Sequence, residues 1–321
     1  MKFFTLLTFC FFTFCANADV IFVKAGSNGD GTSWDNAMGD LAEALDYARS
    51  GDQVWVARGT YYPTASNDRY AYFEVKDGVR LLGGFAGNEN FSSDRNWATN
   101  KTILSGEIGS SSIDDNSYTI IYTKNVSSKT VIDGFIVTKG SANGLGKKGD
   151  LERCGGGLFN DGQGGSSNPT IANCTFVKNY GRDGGAIYNY AKEGVCNPRI
   201  TNCKFLNNKA DLDGGAIYND SRMGICNPVL KDCKIAKNTA TYGGGILNYG
   251  QDGGEASPVI TNCSFEDNVG YVRGGSIYSS ENNGKCSPAI TSSYFSDNKA
   301  TVGREINENG QVVSRGVVKK M

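Results

Sequence analysis

The chain has 321 residues, 39% of them hydrophobic, and 43 glycines, a composition that buries a core while turning often and that is not that of a disordered protein. Its 32 Lys and Arg against 33 Asp and Glu leave a net charge of −1 with no long run of either sign, which argues against a nucleic-acid partner. There is no His, so Ser-His-Asp and Cys-His catalysis and His-ligated metal sites are excluded.

Residues 1–18, "MKFFTLLTFCFFTFCANA", set Lys2 before an apolar run and close on Ala-Asn-Ala, the small-x-small pattern of a cleavable signal peptide. Cleavage before Asp19 is expected, and with it secretion or display on the outer cell surface. A lipoprotein leader anchored through Cys15 would need small residues where Phe12-Thr13-Phe14 stand. No later apolar run approaches the ~18 residues that cross a bilayer, so no transmembrane segment is expected.

Residues 19–64 read as an N-terminal cap. The strand "VIFV" is followed by "GSNGDGTSWD", where Asp30 and Asp35 are the two carboxylates that would hold Ca²⁺ or else serve a turn. In "MGDLAEALDYAR", Leu41, Ala44, Leu45 and Ala48 recur at helical spacing, and "DQVWVARGTYY" returns to strand. One short helix over an open end would cover exposed strand edges. Residues 65–150 read as irregular coils: "TIIYTKN" and "TVIDGFIVTKGSA" line up with the later "TIANCTFVKNYGR".

From 151 to 321 two motifs alternate with a period near 30 residues. One runs "GGGLFN", "GGAIYN", "GGAIYN", "GGGILN", "GGSIYS" and a decayed "GREINE". The other runs "NPTIANCTFVKN", "NPRITNCKFLNN", "NPVLKDCKIAKN", "SPVITNCSFEDN" and "SPAITSSYFSDN". Such a period marks a solenoid or a similar array, in which each unit buries its apolar side against its neighbours. Apolar positions spaced by two, broken by Gly, Pro and Asn, favour strands over helices. The predicted fold is an all-β solenoid, a right-handed parallel β-helix with three short strands per coil. In the unit 214–238 these centre on Ile217, on Leu230 and on Cys233 with Ile235, with bends near Asn219, Asp232 and Asn238.

Aligning the coils gives the inward columns. They are Leu158, Ile187, Ile217, Ile246, Ile277; Ile171, Ile200, Leu230, Ile260, Ile290; Cys174, Cys203, Cys233, Cys263, Ser293; and Phe176, Phe205, Ile235, Phe265, Phe295. Asn179, Asn208, Asn238, Asn268 and Asn298 form an amide column at a bend, where a left-handed backbone is tolerable. The Gly-Gly pairs admit a sharp turn. Pro169, Pro198, Pro228, Pro258 and Pro288 stand at a strand entrance, where a missing N–H costs little.

At this level the chain resembles a known group. The paired "GGAIYN" and "FLNN" resemble the repeats of polymorphic outer membrane proteins, and "TILSG" with "VIDGFIVTKG" resembles secreted pectate-lyase-like β-helix proteins of bacterial surfaces. The closing "VVSRGVVKKM" has neither the β-barrel region nor the sorting tail of surface-anchored members. The resemblance implies the fold strongly and an activity weakly. It implies two functions: non-catalytic adhesion, with a polysaccharide, a cell-surface glycan or host and neighbouring-cell surface proteins as partners, or polysaccharide cleavage. Lyases of this group use Arg or Lys as base and often Ca²⁺. Candidates for that chemistry are Arg182, Asp183, Asp213, Tyr242 and Arg273, before the Gly-Gly pairs, which would otherwise be solvated turn residues. For the binding reading, Phe159, Tyr188, Tyr218, Leu247 and Tyr278, outward neighbours of the inward Ile column, form a ladder of aromatic faces that suits pyranose rings if it is exposed, or else simply stacks across strands, with cover by the loops around 190–196 and 220–226 left open. Of the eight cysteines beyond the leader, four fall in an inward column and read as buried thiols. Cys196 and Cys226, in consecutive coils, are expected to form a disulfide.

Overall fold

A computed structural model of the chain describes residues 18–303, 306–308 and 311–312. The leader expected at 1–18 lies outside the described residues except for its last position. The chain winds into a parallel β-helix whose longest sheets have nine strands, from Val20–Val23 to Ala289–Thr291 in one of them. The expected fold class is therefore found.

Each regular coil carries the three expected strands and a short fourth. In one coil they are Arg199–Thr201 in sheet I, Lys204–Leu206 in sheet II, Lys209–Asp213 in sheet III and Ile217–Asp220 in sheet IV. Sheets I and IV have nine strands, sheet II eight and sheet III six. The register pairs like with like: Ile187 with Ile217, Ile200 with Leu230, Phe205 with Ile235. Stacked at about 4.8 Å, these columns fill one continuous core that runs from Val23 to Phe295. Phe176 and Phe205 lie face to face at 5.2 Å, as do Phe265 and Phe295 at 4.8 Å.

The corners explain the motif residues. Between sheets III and IV the first glycine of each pair, such as Gly184 or Gly214, takes φ +65°. A Cβ on the second, Gly185 or Gly215, would meet a carbonyl oxygen of the next coil at 2.4 or 2.2 Å. The prolines precede sheet I, and their carbonyls accept from the next coil, as in Arg199 N to Pro169 O at 3.0 Å. The amide column is buried and continuous, with each Asn Nδ2 donating to the next Oδ1 at 2.9–3.1 Å. Its left-handed residues are the preceding ones, Lys178, Asn207, Lys237, Asp267 and Asp297, rather than the asparagines themselves. Asn219 marks no bend. It lies inside a strand, in a second buried amide row of Asn160, Asn189, Asn219 and Asn248 bonded at 2.8–3.0 Å.

The N-terminal helix spans Leu41–Tyr47 and is capped by Asp40, whose Oδ1 accepts from Ala42 N and Glu43 N. Leu41, Ala44 and Leu45 face inward and join the core.

Candidate functional site

The row that the binding reading needs open on sheet IV is covered. Tyr188 and Tyr218 are 0% exposed, Phe159 2% and Tyr278 9%, and together with Leu247 they form a second apolar cluster outside the helix core. The ladder is not exposed, and that part of the binding reading is thus corrected. The cover is an insertion: Asp183–Ile187 turns the III–IV corner in one coil, whereas the coil before it uses residues 143–157 between Ala142 and Leu158. These extra residues fold along the helix axis as a strap over the rings of the following coils.

Charge ties the strap down. Lys148 reaches across to Asp213, Nζ to Oδ2 2.6 Å, and to Tyr218 OH at 3.2 Å, with Asp183 Oδ1 at 3.9 Å. Its ammonium also stands 5.0 Å from the centre of the Tyr218 ring and 5.5 Å from that of Tyr249. Arg153 Nε pairs with Asp183 Oδ2 at 2.5 Å. Arg222 grips Asp220 through Nε and Nη2, at 2.9 and 2.6 Å, and its Nη2 donates to Lys148 O at 3.3 Å. Tyr188 OH donates to the same Asp220 carboxylate. At the far end of the strap Tyr70 OH donates to Glu152 Oε2 at 2.7 Å.

Burial sets the protonation states here. It would depress the Lys148 ammonium, but Asp213 and Asp183 outweigh it and hold the pKa above the ordinary lysine value. Burial raises the Asp183 carboxyl, Lys148 opposes the rise, and Asp213 adds to it. Burial pushes the Tyr188 and Tyr218 phenols far above their usual range, so both stay neutral.

Where the strap ends, the row opens into a cleft of about 410 Å³. Leu247 and Tyr278 form its apolar side, Tyr242 and Tyr249 its aromatic walls, and Lys148, Asp213 and Arg273 its charges. Tyr242 and Tyr278 stack with centroids 5.6 Å apart. Arg273 Nη1 donates to Tyr278 OH at 3.4 Å, and among the described residues Arg273 has no ion-pair partner.

Three of the five residues weighed for catalysis, Asp213, Tyr242 and Arg273, therefore meet in one cleft with the last members of the aromatic row. The other two do not line it. Asp183 is sealed under the strap, and Arg182 turns to Gly144 O at 3.4 Å. Phe159, Tyr188 and Tyr218 lie beneath the cover. Lys148 and Tyr249 were not singled out from the sequence. The available signal was "NGLGKKGDLER" at 143–153, eleven residues before "CGGGLFN" that the regular coils lack.

Asp30 serves a turn. Asp30 Oδ1 accepts from Thr32 N, Thr32 Oγ1 and Asn36 Nδ2 and closes its turn, and no metal-ligating cluster occurs among the described residues. The disulfide expected between Cys196 and Cys226 is not formed: both are buried free thiols, packed with Ala191. Cys196 Sγ donates to Tyr190 O at 3.2 Å. The inward thiols follow one rule, with Cys203, Cys233 and Cys263 each donating to the carbonyl two residues back at 3.3 Å. Ser293 makes the same bond at 2.9 Å, which is why it continues the column.

The description of the Chlamydia polymorphic membrane protein repeat matches residues 202–220. No curated protein sequence matches the chain. Among solved structures, pectate lyase Pel9A is similar at a TM-score of 0.51 and 12% identity, over 94% of this chain and 80% of that one, which shows a shared fold. A pectin methylesterase from Aspergillus niger, in deglycosylated form, aligns at 0.48 and 14% identity over 95% and 88%. A rhamnogalacturonan lyase aligns at 0.39 and 12% over 86% and 75%. No helix among the described residues is long and apolar enough to cross a membrane.

Proposed function

We propose that the protein is a secreted or cell-surface β-helix that binds a polysaccharide in the Tyr242–Tyr278 cleft without cleaving it. The observation that carries this reading is the composition of the cleft. Stacked and tilted tyrosine rings offer faces to a pyranose, and Arg273 offers a guanidinium that no carboxylate among the described residues neutralises. The repeat likeness to a bacterial membrane protein family and the fold shared with a protein named as a pectate lyase support a surface role directed at carbohydrate. Adhesion to a glycan-coated cell is the biological form of that role.

One observation favours the lyase alternative: basic, acidic and phenolic groups do gather in a single cleft. A lyase, however, needs a base that is unprotonated in the working state. Lys148 is held as an ammonium by Asp213, and this carboxylate is itself occupied by Lys148. Lys148 and Asp213 thus serve the strap, and Arg273 is left as the cation of the cleft that the binding reading uses.

A glycan array tests the proposal. Wild-type protein is expected to retain a polysaccharide that Tyr242→Ala and Arg273→Ala each release, with the melting temperature kept. Unsaturated sugar ends appearing in the bound polysaccharide would establish the lyase instead.

A further inference from the structure

The corner between sheets I and II lies across the coil from the tyrosine cleft, two corners away in either direction along the chain. It carries two cavities of about 150 and 320 Å³ that share Asn202 and Lys204 and so form one groove along the helix axis. The groove runs from Thr102 to Tyr294, across seven successive strands of sheet II, a length of ~29 Å at the strand spacing.

Its floor is periodic. Asn173, Asn202, Asp232, Asn262 and Ser292 occupy the corner with φ of 54°, 53°, 56°, 53° and 49°. Residues 202, 232, 262 and 292 are exposed. Neighbouring side chains bond along the axis, Asn173 Nδ2 to Asp133 Oδ1 at 2.8 Å, Asn202 Nδ2 to Asn173 Oδ1 at 2.7 Å and Asn262 Nδ2 to Asp232 Oδ1 at 2.6 Å, which fixes the rungs while the side chains of 202, 232, 262 and 292 face solvent. Lys101, Lys204 and Lys234 stand along the groove. Only Lys234 among them has a carboxylate partner, Glu266 at 2.5 Å. Exposed aromatic rings mark the ends, Trp97 in the first cavity and Tyr294 in the second.

We propose that this groove is a second binding site, for a linear, negatively charged polysaccharide laid along the helix axis. An extended pyranose chain advances by about one coil spacing per sugar, so successive sugars meet equivalent amide rungs. With Lys234 paired to Glu266, the two lysines without a carboxylate partner, Lys101 and Lys204, still outnumber the single lining carboxylate, Asp232, and select an anionic chain. The two rings are placed to stack on sugar faces. The site rests on observations independent of the tyrosine cleft and stands whether or not that cleft binds.

The experiment uses the full chain carrying Tyr242→Ala and Arg273→Ala, so that the cleft does not contribute. Oligogalacturonates of increasing length and a neutral linear glucan are titrated by calorimetry. Expected are an affinity for the acidic oligomers that rises with length, a preference over the glucan, and a loss of about tenfold or more on adding Lys204→Glu with Lys234→Glu. Trp97→Ala, which reverses no charge, is expected to weaken binding as well, and thermal melts confirm that each variant is folded. No binding in the cleft-disabled background, equal binding of the neutral chain, or indifference to charge reversal would each overturn the proposal.

Discussion

The ammonium of Lys148 lies 2.6 Å from the Asp213 carboxylate across 65 residues of chain, and this pair fastens the strap over the tyrosine row. Both side chains are mostly covered, at 27% and 16% exposure, so the pair is worth more than a surface salt bridge. Lys148→Met leaves Asp213 and the sealed Asp183 facing one another. The expected cost is about 3 kcal/mol, the low end of the range for breaking a buried pair because some water reaches it. Chemical denaturation measures this cost. A second readout is new fluorescence quenching of the tyrosine row by added iodide, and an unchanged row would show that the strap is held without Lys148.

Asp183 gives the protein a pH dependence of definite sign. Its pKa is raised in the fold above the ordinary 3.8, burial being the main cause. Between the two values the native state holds more protons than the unfolded one, so the contribution of this group is present below the unfolded pKa and is lost as pH rises through the folded pKa. Melting temperatures of the wild type relative to Asp183→Asn are therefore expected to fall as pH rises from about 4 and then to level off. A difference that grows in the opposite direction would mean that Arg153 and Lys148 outweigh burial.

Tyr188 tests the covered row. An outward aromatic on an open sheet would cost little to truncate, but Tyr188 is fully buried, lies 5.2 Å from Phe159 and from Tyr218, and bonds to Asp220. Tyr188→Ala is expected to destabilise by about 3–5 kcal/mol, like a core aromatic. Loss of only a few tenths would return the row to the exposed side of the sheet.

The cysteines make a counting prediction. All eight described are free and buried. Intact-mass measurement after alkylation without reductant should find eight modified sites in denaturant and few in native buffer. A linked peptide joining Cys196 and Cys226 would restore the pairing expected from sequence.

The repeats made most of the fold legible. Stacking identical coils obliges residues at one phase of the period to meet, so Ile217, Leu230, Cys233 and Phe205 could be assigned inward from alignment alone, and each is buried. The Gly-Gly corners and the Asn179–Asn298 column followed from the same rule. The short fourth strand did not: Lys209–Asp213 alternates through Ala210 and Leu212, but its copies Tyr180–Asp183 and Thr239–Tyr242 keep only the small residue, Gly181 or Ala240, of that pattern.

The site was half legible. Period-two phase put Tyr188 and Tyr218 outside the helix core, where they lie, and three of the residues before Gly-Gly, Asp213, Tyr242 and Arg273, meet in the proposed cleft. Whether an outward residue meets water, however, depends on what folds over it, and the cover comes from a segment 40 residues before Tyr188 and 70 before Tyr218 that belongs to no repeat. Repetition in the sequence determined which side chains stack, since that is a local property of the period. Only the tertiary structure decided which remained exposed, because the path of one insertion, held by Lys148, Arg153 and Arg222, left open a cleft at Tyr242 and Tyr278 and closed the rest.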